Sequence, residues 1–136
     1  IKEIYEQESI SSLRLKGRIF SRFELASQRE VAWASVRESD LEELDATWED
    51  TEGLVNYLRQ VEDVEVGLLF KEVAAKRTRV SLRSNYYFPV NTLARQLGGG
   101  GHARAAGCTV ESDLATAKEK VLAKLDEELR AYGEQE

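Results

Sequence analysis

The sequence predicts an α/β domain: a single mixed β-sheet of about five strands flanked by helices, with a long C-terminal helix. Three observations carry that expectation. Segments with a period of two alternate along the chain with segments of helical period. The most polarised of the first kind, RTRVSLRS (77–84), sets Val80 and Leu82 against Arg77, Arg79, Ser81 and Arg83. From Ser112 onward, Leu114, Ala117, Val121, Leu125, Leu129 and Tyr132 mark one face of a long helix.

The elements follow in chain order. IKEIYEQESISSL reads as the end of a helix, so residues 1–12 are expected to close an interdomain linker and residues 13–136 to form the domain. LRLKGRIF (13–20) alternates Leu13, Leu15 and Ile19 with Arg14, Lys16 and Arg18, the period of a half-exposed strand. EVAWASV (30–36) is apolar on both faces and suits a central strand. SDLEELDA (39–46) reads as a short helix with Ser39 as N-cap. DTEGLVNYLRQV (50–61) spaces Leu54, Leu58 and Val61 as one helix, and VEVGLLF (64–70) puts Val64, Val66, Leu68 and Phe70 on one strand face. After the arginine strand, Pro89 precedes a short helix with Val90, Leu93, Ala94 and Leu97 inward, ended by Gly98 at C′. GCTVE (107–111) is a last short strand, and the final GEQE is expected to fray.

Composition bounds the function. At 136 residues, 42% apolar and 32% charged, the chain fits one globular domain. No stretch approaches the ~20 apolar residues of a membrane span. The single Cys108 excludes an internal disulfide and suits a reducing, cytoplasmic setting. The chain starts at Ile1 and holds no methionine, which is expected of a domain cut from something longer. The net charge of −6 argues against a polyanionic partner, but its distribution reverses the argument. Between Val73 and Val110 there is no Asp or Glu, while Lys76, Arg77, Arg79, Arg83, Arg95 and Arg104 lie there. A basic window sits in an acidic body.

LGGGGHARAAG (97–107) concentrates five of the nine glycines and the only histidine in that window. Successive glycines let backbone N–H groups converge on an anion without side chains in the way. His102 adds an imidazole that can donate to a phosphate, and Ala103, Ala105 and Ala106 keep the backbone uncluttered. A hinge that ends a helix fits the same residues, and the residues alone leave cradle and hinge open. The run is neither a Walker A loop nor a dinucleotide fingerprint. Arg83 and Ser84 would supply a donor fork and a hydroxyl. Arg77 and Arg79 share that face and read as solvated, with a line along a nucleic-acid backbone as the alternative. Tyr86 or Tyr87 could stack a base. One His and one Cys cannot build a usual zinc site, His102 has no acidic neighbour to orient it, and DLEELD reads as a solvated face. No self-sufficient catalytic centre is visible.

LGGGGHARAAG, with VSLRSN and DTEGLVNYLRQVEDVEVGLLFKE before it, resembles the C-terminal, DHH-associated domain of DHH phosphoesterases, in the nanoRNase and pAp phosphatase branch. The likeness runs from about Asp50 into the terminal helix. It implies the substrate-binding half of a manganese-dependent phosphoesterase acting on short oligonucleotides or nucleotide phosphates such as pAp. Arg83, Ser84, Gly99, Gly100, Gly101, His102 and Arg104 would grip phosphate, with Asn56 and Tyr86 as further candidates. The resemblance also implies that two Mn²⁺ ions sit on an N-terminal DHH domain outside this chain, so the chain itself holds no cofactor, metal ligand or catalytic residue. That domain would be a partner, no membrane is involved, and the parent could be a homodimer. The same domain type occurs attached to alanyl-tRNA synthetases as a nucleic-acid-binding module. The DTEGLVN and SLRS context favours the phosphoesterase branch.

Overall fold

The computed structural model describes residues 7–134. It is a mixed α/β domain with one six-stranded sheet and a long C-terminal helix. The linker helix expected at residues 1–12 lies in large part outside the described residues, as does the end of GEQE.

The first helix, α1 (Ile10–Ser21), replaces the strand expected at 13–20. Its buried positions are Ser12, Leu15 and Ile19, three and four apart, whereas Leu13 is 63% exposed. The period-two pattern of charges was coincidental over so short a window, and the helical spacing of the buried residues decided the element. Ser9 caps α1 by accepting from the Ser12 amide at 3.0 Å.

Strand β1 (Glu24–Ala26) turns back into β2 (Val31–Arg37). Helix α2 (Glu38–Leu44) begins one residue before Ser39, so Ser39 is not its cap. The Asp40 carboxylate instead accepts the Arg37 amide at 2.9 Å. The helix expected over 50–61 is broken by Gly53, at φ +77°. A 3-10 turn (Trp48–Thr51) precedes it and α3 (Val55–Arg59) follows. Then come β3 (Val66–Ala74), β4 (Arg77–Ser84), α4 (Val90–Gln96), β5 (Gly100–His102), β6 (Ala105–Val110) and α5 (Leu114–Gly133).

The sheet order is β1-β2-β3-β4-β6-β5. Only β2 and β3 run parallel, and every other pairing is antiparallel. One face carries Val66, Leu68, Phe70, Val80 and Leu82 against α4 and α5. The other carries Ala32, Ala34, Val36 and Leu69 against α1, α2 and α3. Val64, expected on the first face, belongs to this second core because it precedes the strand. The second core contains no residue of β4, β6 or β5. Among the described residues, no helix builds a hydrophobic core over β4, β6 and β5 on that face.

Candidate functional site

The open half-face is written by the strand register. Directly opposed residues of antiparallel strands share a face. Arg83 on β4 lies opposite Ala105 on β6, and Ala105 opposite His102 on β5. The next row is Ser81, Gly107 and Gly100, and the third is Arg79 and Thr109, with Lys71 of β3 opposite Arg79. Arg83 and His102 thus stand two strands apart, ~10 Å between backbones, with only an alanine methyl between them. The floor beside them is Ser81 and two glycines. A basic trough with almost no side chains in its bed results.

The glycines divide into two kinds. A Cβ on Gly99 would lie 2.1 Å from the Gly107 carbonyl oxygen, and one on Gly101, at φ +144°, would lie 2.6 Å from that of Ala105. Those two are required by the close approach of this segment to β6. Gly98, at φ +87°, ends α4: its amide donates to the Arg95 carbonyl at 3.1 Å, and that of Gly99 donates to Ala94 at 2.7 Å. The Gly99 N–H is therefore already used within the fold. Gly100 is different. A Cβ there would meet nothing within 4 Å, so packing does not explain its small size. As the edge strand, β5 also turns backbone N–H and C=O groups outward.

The remaining expected residues separate into those on the trough and those beneath it. Arg83 is half-buried, and its Nη1 donates to the Leu82 carbonyl at 2.9 Å. Burial, and then the neighbouring charge of Arg59, lower its pKa below the ordinary arginine value. Arg59 arrives because α3 docks tightly on β3: a Cβ at Gly67 would lie 2.5 Å from the Arg59 amide nitrogen. Arg59 in turn donates to Asn56 Oδ1 at 3.2 Å and Asn85 Oδ1 at 3.1 Å, so Asn56 joins the trough only through Arg59.

Ser84 alternates away from Arg83 and is buried, 4% exposed. Its hydroxyl donates to the Ala103 carbonyl and accepts from Arg104 Nη1, each at 3.2 Å. Arg104 also donates to the carbonyls of Phe88 at 2.9 Å and Tyr86 at 2.8 Å. These two residues lash the β5–β6 turn to the segment after β4. That segment is held from below by Glu65, whose buried carboxylate accepts the amides of Tyr86, Tyr87 and Phe88. Tyr86 itself projects, 81% exposed.

Arg59 and Lys71 went unnoticed as site residues because both lie outside the acid-free window, within a stretch read for its helix and strand pattern. Only the docking of α3 and the β3–β4 register bring them to Arg83 and Arg79. Among the described residues, no group of three or more His, Cys, Asp or Glu could hold a metal ion, and no helix is long and apolar enough to cross a membrane.

Comparison with known proteins places this geometry. Residues 30–131 match the model of the DHHA1 domain. Over 86 residues the chain is 37% identical to the bifunctional oligoribonuclease and PAP phosphatase NrnA of Thermus thermophilus, covering 62% of this chain and 26% of that protein. An exopolyphosphatase-related protein from Bacteroides fragilis superposes with a TM-score of 0.79 at 28% identity, over 94% of this chain and 36% of that one. The C-Ala domain of Aquifex aeolicus alanyl-tRNA synthetase shares the fold at a TM-score of 0.56 and 16% identity, over 73% of this chain and 89% of that one. The chain thus spans about a quarter of the NrnA relative and about a third of the Bacteroides protein.

Proposed function

The chain belongs to the DHHA1 domain family, and from that premise we propose that it is the substrate-holding part of a DHH phosphoesterase, binding the phosphate of a short oligonucleotide or of a nucleotide such as pAp. The observation that carries this reading is the row Arg83–Ala105–His102 on an open sheet face. A phosphate seated over Ala105 would take the free edge of the Arg83 guanidinium on one side and the imidazole of His102 on the other. Gly100 leaves space for close approach, and the edge of β5 can add backbone donors. Arg59 and Arg83 repel one another when the site is empty, and an anion relieves that repulsion.

Ser84 and Arg104 act here as positioning residues, holding the turn that carries His102. Tyr86 is placed to stack a base beyond the strand. The described residues do not fit the two manganese ions of the family, since no carboxylate and histidine cluster exists among them. In this reading the ions belong to a DHH domain, as the resemblance implies, and the present residues bind, orient and neutralise charge.

The test is an NMR titration of the 136-residue chain with a 5′-phosphorylated dinucleotide, without metal. Shifts should gather at Arg83, Gly100, Gly101 and His102, and Arg83→Ala or His102→Ala should weaken binding about tenfold, or ~1.4 kcal/mol. Shifts confined to Arg77 and the aromatic segment, with Gly100 and His102 silent, would sink the assignment and favour a general nucleic-acid-binding module.

A further inference from the structure

We infer that the trough holds a second anion subsite, built by Lys71 and Arg79, which takes another phosphate of the same oligonucleotide. The inference rests on the reading of Arg83 and His102 as the first phosphate site. Lys71 and Arg79 are directly opposed across β3 and β4. Like charges so placed destabilise a sheet, and the charge of Glu52 offsets this only in part at Lys71. Among the described residues neither forms an ion pair. The carboxylate at the rim, Glu111, is engaged by Arg77 Nε at 3.3 Å.

Lys71 is half-buried, and burial is the main influence lowering its pKa, followed by the charge of Arg79. Glu52 acts the other way, and Arg83 adds to the lowering. The group is thus a cation held where its charge is poorly solvated and poorly matched. It lines a cavity of about 540 Å³ with Arg79, Ser81, Gly107 and Thr109, and Glu111 is the one carboxylate in that lining. Its bed includes Ser81 and Gly107, whose row continues through Gly100 without a large side chain beside Arg83 and His102.

Spacing selects the ligand. Arg79 and Arg83 are four residues apart on one strand face, ~13 Å along the backbone. One phosphate cannot serve both ends. Phosphates joined through sugars can, so the trough suits a chain of linked nucleotides better than a mononucleotide or a compact run of phosphoanhydrides.

The experiment measures affinity by calorimetry for a 5′-phosphorylated trinucleotide, the matching 5′-mononucleotide and tripolyphosphate, across a salt series. The expected result is a wild-type chain that prefers the trinucleotide. Lys71→Gln with Arg79→Gln should then lose about tenfold on the trinucleotide and ~0.7 from its logarithmic salt slope, for the one phosphate contact removed on a single strand. Mononucleotide and tripolyphosphate affinities should not move. Equal losses on all three ligands, no loss on any, or no wild-type preference for the trinucleotide would each overturn the second subsite. Arg83→Ala separates the two readings. If it weakens all ligands while the double variant weakens none, only the second subsite fails. If Arg83→Ala weakens none, the first site fails with it.

Discussion

Over β2 and β3, where α1, α2 and α3 roof the sheet, charged side chains close on one another. Asp40, 3% exposed, accepts from Arg22 at 2.8 Å, from the Arg37 amide at 2.9 Å and from Arg18 at 3.4 Å. Over β4, β6 and β5 the same face has no helix in its core among the described residues, and Arg79 and Arg83, with Lys71 at the border on β3, have no carboxylate bound to them there. The first arrangement ties the C-terminal end of α1 to α2 and stabilises the fold. The second costs the fold stability and leaves cations waiting for an external anion. A charge with a built-in partner is architecture, whereas one kept from any partner beside an empty bed points to a ligand.

The sharpest way to break that comparison lies within the glycine run. Gly99→Ala drives a methyl into the Gly107 carbonyl and should cost on the order of 3 kcal/mol, read as a lower urea midpoint. Gly100→Ala meets no neighbour, so its midpoint should stay within ~0.5 kcal/mol of wild type while phosphate binding weakens. Equal destabilisation by both would return the run to pure packing and remove Gly100 from the site.

A somewhat smaller effect is expected where the two halves are compared directly. Asp40→Ala removes several charge-assisted hydrogen bonds and should cost about 2–3 kcal/mol without touching ligand affinity. Arg83→Ala should do the reverse, leaving stability within ~1 kcal/mol and lowering affinity. An Arg83→Ala protein that unfolds as readily as Asp40→Ala would mean that the open face is architecture too.

How much of this was legible follows the same division. The terminal helix, the arginine strand, the α4 helix and its Gly98 stop were readable because each is a local pattern of period or conformation. The Leu13–Phe20 segment was misread because alternating basic residues imitated a strand, and only burial separates Leu15 and Ile19 from the exposed Leu13. The site was legible in its motifs, Arg83–Ser84 and the glycine run with His102. It was not legible in its faces. That Ser84 turns inward beneath the trough follows from strand alternation once the strand is placed. That Lys71 stands against Arg79, and Arg59 beside Arg83, depends on register and docking between segments far apart in sequence, which no local spacing encodes.

The smallest predicted effect concerns acid. Burial by itself would raise the Asp40 pKa, but the hydrogen bonds from Arg22 and Arg37, with Arg18 beyond, outweigh it and hold the value below the ordinary 3.8. A carboxyl depressed by folding contributes stability that is present in full above its unfolded pKa. That contribution is lost as pH falls below about 3.8 toward the folded value. The partners are arginines, which do not titrate in this range, so the whole change belongs to the carboxylate. Thermal unfolding followed from pH 6 to pH 2.5 should therefore show wild type and Asp40→Asn converging at the acid end, the variant starting lower and falling less. The open half-face predicts no such arm, because Lys71, Arg79 and Arg83 form no ion pair with a carboxylate among the described residues. If Arg83→Ala also changed the acid arm, a carboxylate would have to be paired with it, and the contrast between the two halves would fail.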